Sequence, residues 1–203
     1  MDDIFDKELK NGLLCHLEGR LDEAYEIYNA VLDEYPENPE ALQLIGALVL
    51  DRGDAKTACA LLKKAVQLNP GFAPVKINYG VALAACEQAE NALAELKEAI
   101  TLAPHSPDGY YNAGKVFLGI GRASDARDML SKATKISPSH AAAQNDYAIA
   151  LQQLGLIEEA LRANSEACRL KPGNSVFRAN RCSLRLDLND PEGAVQDGER
   201  ATS

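Results

Sequence analysis

An all-α solenoid of helix-turn-helix repeats is the fold class that this 203-residue sequence predicts. Three observations carry the prediction. Prolines recur every 34 positions, at Pro36, Pro70, Pro104, Pro138 and Pro172. Alanines recur with the same period at Ala24, Ala58, Ala92, Ala126, Ala160 and Ala194, and no insertion disturbs the register. A fixed period of this length marks stacked units, each burying its apolar face only against its neighbours. The expectation is one array over residues 1–203, with repeats at about 5–38, 39–72, 73–106, 107–140, 141–174 and a partial sixth at 175–203.

Each element follows from local chemistry. Asp2 to Leu17 reads as the first helix and Leu21 to Tyr35 as the second. In the second repeat, apolar Leu42, Ile45, Val49 and Leu62 alternate with small Gly46, Ala58 and Ala65. Two short helices crossing closely need a small residue at the crossing, so Gly46 is expected to face Ala58. Glycines at 19, 53, 121 and 155 suit a turn that demands positive φ, whereas Glu87 stands in that place in the third repeat and predicts a different turn. The repeating proline stops each second helix. Asn38 and Ser106 then read as N-caps, with Pro39 and Pro107 in the first helical position. The fifth repeat departs, with Ala148 for the glycine and Asn164 for the large apolar residue; the sixth departs further, at Cys182, Arg185 and Gly198.

These positions resemble the tetratricopeptide repeat, whose pattern runs W-x2-L-G-x2-Y, then A-x3-F, then P. The second repeat reads Leu42, Ile45, Gly46, Val49, Ala58, Leu62, Pro70, and the fourth reads Tyr110, Ala113, Gly114, Phe117, Ala126, Leu130, Pro138. The resemblance covers almost the whole chain and implies a right-handed α-solenoid. It also implies that the first helix of each repeat lines a concave groove, into which the residue two before the pattern glycine points. Those residues are Lys10, Leu44, Asn78, Asn112, Asp146 and Asn180. Asparagine is a poor helix former, so its recurrence asks for a reason. A carboxamide both donates and accepts, which matches a peptide backbone of any sequence.

First helices about 10 Å apart and a strand rising about 3.3 Å per residue would let one asparagine hold roughly every third peptide residue. This is similar to the asparagine ladder in the repeat domain of O-linked N-acetylglucosamine transferases; Asn78, Asn112 and Asn180 match it, and Asp146 departs because it only accepts. Ile77, Val81, Tyr111, Lys115 and Ile149 are expected beside the ladder, supplying selectivity. The plainer alternative is a set of solvated polar positions retained by repeat duplication. Towards the N-terminus the groove turns apolar, with Leu9, Leu13, Leu44, Ala47 and Leu50, a stripe suited to an amphipathic helix, an apolar side chain or another part of the same protein. Asn180-Arg181 resembles half of a chaperone-tail clamp, but Asn145 and Ile149 stand where that clamp needs Lys and Asn, so a clamp is not expected.

Composition narrows the function. A net charge of −9 and a pI near 4.9 argue against nucleic acid as a partner and favour a neutral or basic one. No apolar run is long enough to span a bilayer, and the acidic start Met1-Asp2-Asp3 is unlike a secretory signal, so a cytoplasmic protein without a membrane role is expected. Five cysteines without a C-x-x-C pair read as reduced thiols in helices. Scattered His16, His105 and His140 accompany no nucleophile pattern, so no catalytic residue, metal or cofactor is expected.

The expected function is a protein-protein interaction module that binds an extended peptide segment of a partner in repeats three to six. One alternative is the substrate-recruiting N-terminal arm of a larger protein-modifying enzyme such as a glycosyltransferase. Another is a scaffold that self-associates through an uncapped C-terminal end. The sixth repeat lacks a clear polar cap, which suggests a piece of a longer protein; otherwise Arg178, Arg181 and Arg185 make that repeat its own cap.

Overall fold

The computed structural model describes residues 2–201, with side chains described over 7–197. Twelve helices follow one another: α1 Asp2–Leu17, α2 Leu21–Glu34, α3 Pro39–Asp51, α4 Ala55–Leu68, α5 Ala73–Ala85, α6 Ala89–Leu102, α7 Pro107–Gly119, α8 Ala123–Ile136, α9 Ala141–Gln153, α10 Ile157–Leu170, α11 Ser175–Asp187 and α12 Pro191–Ala201. The architecture is all-α, and the helices pair in sequence as six helix-turn-helix repeats. They group into two compact units, Met1–Ala103 and Pro104–Ser203, with three pairs in each.

The helix ends obey one local rule. At the end of α2, α4, α6, α8 and α10 the cap residue precedes a proline and takes φ between −128° and −136° with ψ between 69° and 84°. Proline bars the α region for the residue before it, so the chain straightens there. Tyr35 is therefore the cap of α2 and not its last helical residue. Asn38 and Ser106 cap α3 and α7 as their sequence suggests, accepting from Ala41 N and Asp108 N.

The turn inside each repeat is the same in all six, which corrects the expectation for the third. Glu87 adopts φ +60° and Asn189 φ +57°, alongside the four glycines. In repeat two Gly53 N donates to Leu50 O and Asp54 N to Val49 O; in repeat three Glu87 N donates to Ala84 O and Gln88 N to Leu83 O. The hydrogen bonds that close the helix hold the non-glycine residues in the left-handed region against its steric cost of about 1–2 kcal/mol.

The helix crossings are tight at the small residue. A Cβ on Gly46 would lie 2.7 Å from Leu62 Cγ, one on Gly80 2.8 Å from Leu96 Cγ, and one on Gly114 2.5 Å from Leu130 Cγ. The glycine makes room first for the large apolar residue four positions past the pattern alanine, and at Gly80 the carbonyl oxygen of that alanine, Ala92, would also lie 3.2 Å from the added Cβ.

In the first unit Tyr28, Val31, Ile45, Leu48, Leu62 and Val75 belong to one continuous core. Leu9 lies in that core at 3% exposure, so it does not line a groove. Lys76 on α5 is buried as well, its Nζ 3.2 Å from Glu95 and 2.7 Å from Glu98 on α6. In the second unit Ala126, Ala150 and Leu130 belong to one cluster and Ala148, Leu151, Ala160 and Leu184 to another. In repeat six Arg181 and Arg185 turn onto buried Asp197 of their own repeat.

Candidate functional site

Successive first helices touch one another inside each unit, α1 with α3 and α3 with α5, then α7 with α9 and α9 with α11. The 34-residue period therefore turns one register position into a row. In the second unit that row is Asn112 on α7, Asp146 on α9 and Asn180 on α11. Beside it stand Tyr111, Lys115 and Ile149; Lys115 is exposed and the other two are half-buried.

The row is organised by a residue that the ladder did not include. Asn145 is 4% exposed, and its Oδ1 accepts from Asn164 Nδ2 at 3.0 Å and from Asn180 Nδ2 at 2.8 Å. Its own Nδ2 donates to Asp146 Oδ1 at 3.1 Å. Asn164 on α10 is fully buried, and its Oδ1 accepts from Cys168 Sγ at 3.6 Å. Buried amides are costly unless paired, and here they pair across α9, α10 and α11. The network fixes both Asn180 and the Asp146 carboxylate.

Asp146 is the electrostatic centre. Burial pushes its pKa above the usual carboxylate range, against the opposing pull of the Asn145 hydrogen bond, the Lys115 charge and the Tyr111 hydroxyl. Tyr111 is pushed up to about 12, first by burial and then by the charge of Asp146 and its hydrogen bond to it. The Tyr111 ring lies 4.6 Å from that of His140, and Lys115 Nζ sits 5.6 Å from its centroid. His140 caps α9, its Nδ1 accepting from Ala143 N at 3.1 Å. An aromatic face, an ammonium and a carboxylate thus adjoin on one strip of two neighbouring helices.

The remaining candidates are placed less tightly. Asn112 Nδ2 donates back to Asp108 O at 2.9 Å, one turn earlier on its own helix. Asn78 lies on α5 in the first unit with Ile77 and Val81, all half-buried, and its amide makes no side-chain hydrogen bond among the described residues. The apolar stripe loses Leu9 to the core, while Leu13 and Leu44 line a hollow with Phe72 and Val75. Sequence reasoning missed Asn145 as a hub although a signal was present. Asn164 occupies the register of Leu62, Leu96 and Leu130, and a polar residue at an interior position requires a polar partner. The five cysteines are free thiols, and Cys59 Sγ lies 3.6 Å from Cys86 Sγ.

Helix pairs in fixed register, each closed by a proline and crossed at a small residue, define a repeat protein of the tetratricopeptide class. A tetratricopeptide repeat family model matches residues 18–73 and 111–175, and a second one matches residues 49–110. The chain belongs to the tetratricopeptide repeat family. Among solved structures it is similar to PilF of Pseudomonas aeruginosa, at 20% identity and TM-score 0.85, covering 98% of this chain and 90% of that one. It is similar to TTC0263, a thermophilic TPR protein of Thermus thermophilus, at 23% identity and TM-score 0.77, covering 90% and 99%. YrrB, described as a TPR protein with an unusual peptide-binding site, shares 18% identity at TM-score 0.64, covering 86% and 90%. At these identities the likeness is one of fold. No curated protein matches the chain. Among the described residues no helix is long and apolar enough to cross a membrane.

Proposed function

We propose that this protein is a protein-binding module that holds an extended peptide segment of a partner on the first helices of its second unit. The observation that carries the reading is the strip of Tyr111, Lys115 and Asp146, fixed from below by buried Asn145. Asp146 accepts backbone N–H groups, Lys115 donates to backbone carbonyls, and Tyr111 offers a flat face to side chains. Asn112 and Ile149 extend the strip, and Asn180 serves it by holding Asn145. In the first unit Ile77, Asn78 and Val81 form a separate candidate contact. The fold likeness to a protein described as peptide-binding agrees with this reading without specifying its site.

The recruiting-arm reading rests on the shared register of Asn78, Asn112 and Asn180. Two of those amides already donate within the chain, which favours a module that grips through Asp146 and Lys115. Self-association would rest on exposed Val176, Leu186 and Val195 of the sixth repeat.

The test is selection of unstructured 12-residue peptides from a displayed random library on the full chain, followed by affinity measurement in solution. Hydrogen bonds to charged groups contribute about 1.5–3 kcal/mol each, so Asp146→Ala and Lys115→Ala should each weaken the selected peptides at least fivefold. Peptides that bind both variants as tightly as the parent would remove the strip as the site.

A further inference from the structure

The first unit carries a hollow that the reading above does not use. It has a volume of about 390 Å³, lies among α1, α3, α4 and α5, and is lined by Leu13, Leu44, Phe72 and Val75 with Glu40 and Gln43 on its wall. Its volume falls within the range of about 300–1,000 Å³ typical of ligand sites.

Phe72 is the first sign that the hollow is meant to be filled. It occupies the N-cap of α5, where no side chain caps the helix. At the same register in the other repeats Asn38, Ser106, His140 and Asn174 each accept a hydrogen bond from the backbone of the helix they begin. Phenylalanine cannot do so, and it stands 43% exposed beside 39%-exposed Leu13. A residue that gives up a cap and leaves a large ring in water serves the isolated fold poorly.

Charge is the second sign, and it says what fills the hollow. Residues 1–103 hold 18 Asp and Glu against 9 Lys and Arg, while residues 104–203 hold 12 against 12, so the whole net charge of −9 belongs to the first unit. Glu34, Glu37 and Glu40 cluster at the turn leading into α3, and neither Glu34 nor Glu40 makes an ion pair among the described residues. Lys64 reaches only to 4.0 Å from Glu37. A phosphate-bearing ligand would be repelled by such a surround, and cationic side chains would be drawn to it. A second copy of the chain is a poor fit, because its second unit is charge-balanced and its Arg181 and Arg185 are committed to Asp197.

We propose that this hollow docks an apolar side chain presented by a basic amphipathic segment of a partner protein. Phe72, Leu13 and Leu44 form the anchor pocket, and Glu40 on its wall, within an acidic unit, sets the charge preference. Aromatic anchors in apolar pockets carry much of the energy of such contacts, with rim charges setting encounter rate and salt dependence.

The test uses the full chain and three synthetic 16-residue helical peptides: one of Leu and Lys in amphipathic order, one with Glu replacing Lys, and one with Ser replacing Leu. Binding is read by fluorescence anisotropy at 50 and 500 mM salt, for the parent, Phe72→Asn and Glu40→Lys. The Leu-Lys peptide should bind the parent, weaken at least tenfold with Phe72→Asn, weaken severalfold with Glu40→Lys and weaken with salt; the two control peptides should not bind. Phe72→Asn restores a cap, so its Tm should hold or rise by about 2–4 °C. Equal binding of the Leu-Lys peptide to parent and Phe72→Asn overturns the proposal, as does equal binding of the Leu-Glu peptide. A fall in Tm for Phe72→Asn with binding unchanged assigns Phe72 to the fold and overturns it as well. Concentration-dependent dimerisation of the unliganded chain that Phe72→Asn abolishes would give the hollow to a second copy, again against the proposal. None of these variants touches Asp146 or Lys115, so the outcome is independent of the second-unit strip.

Discussion

Asp146 is a carboxylate that the fold places where ionisation is expensive. Its pKa lies above the ordinary carboxylate value because burial outweighs Asn145, Lys115, Tyr111 and His140. A folded-state pKa raised above the unfolded one means that the native state takes up the proton first. Stability is therefore gained as pH falls through the raised value, and the ionisation cost is fully present above it. Asp146→Asn keeps the acceptor for Asn145 and removes the charge. Its melting temperature is expected to equal or exceed the parent's at pH 7, with the difference shrinking towards pH 4. A difference that stays constant between pH 7 and pH 4, measured by calorimetry, would show that ionisation of Asp146 has no part in it. Such residue-level chemistry was only half legible in the sequence. Asn164 at a leucine register announced a buried polar group, but its partner Asn145 lies 19 residues earlier on another helix, and no linear pattern pairs the two. Conversely, the regular recurrence of asparagine at 78, 112 and 180 hid different local fates, because a carboxamide takes whichever carbonyl its own surroundings bring near.

Helices and their crossings were far more legible, because they depend on spacing within a repeat and six repeats report the same spacing. What spacing alone does not reveal is which atom a small residue spares. The glycine of each crossing clears the branched end of Leu62, Leu96 or Leu130, so its cost of substitution depends on how far that leucine can move. Gly114→Ala places a methyl carbon 2.5 Å from Leu130 Cγ. Overpacking of this kind costs about 1–3 kcal/mol, offset by a helix-propensity gain of about 1 kcal/mol, so a net loss of up to about 2 kcal/mol is expected. Gly119→Ala on the same helix meets nothing within 4 Å and should be neutral or stabilising by up to about 1 kcal/mol. Urea midpoints for the two variants decide the matter; equal midpoints would mean that the crossing yields freely. The turn at Glu87 was misread for a related reason. A left-handed residue usually signals itself as glycine, but the closing bonds of the turn are made by the backbone, and a non-glycine residue with enough surrounding structure accepts the same φ.

At the scale of the whole chain, charge is unevenly distributed between two units of the same architecture. Residues 1–103 carry 18 acidic against 9 basic side chains, and residues 104–203 carry 12 of each. Like charges gathered in one compact unit repel one another and tend to destabilise it, and added salt screens that repulsion over about 10 Å at 0.1 M. The first unit should therefore gain from salt and the second should change little. Hydrogen exchange followed by mass spectrometry at 20 and 300 mM salt separates the two, because α1 to α6 and α7 to α12 fall in different peptides. Protection is expected to rise across α3 to α6, where the backbone is hydrogen-bonded and each helix holds buried residues, while α8 to α11 hold level. A uniform rise along the chain would instead assign the salt effect to general exclusion of water from apolar surface, which does not distinguish the units. The electrostatic account also fixes a sign for binding. Salt that steadies the first unit should at the same time weaken its hold on a cationic peptide, so stability and affinity move in opposite directions under one variable. A protein whose acidity served solubility alone would show the first effect without the second.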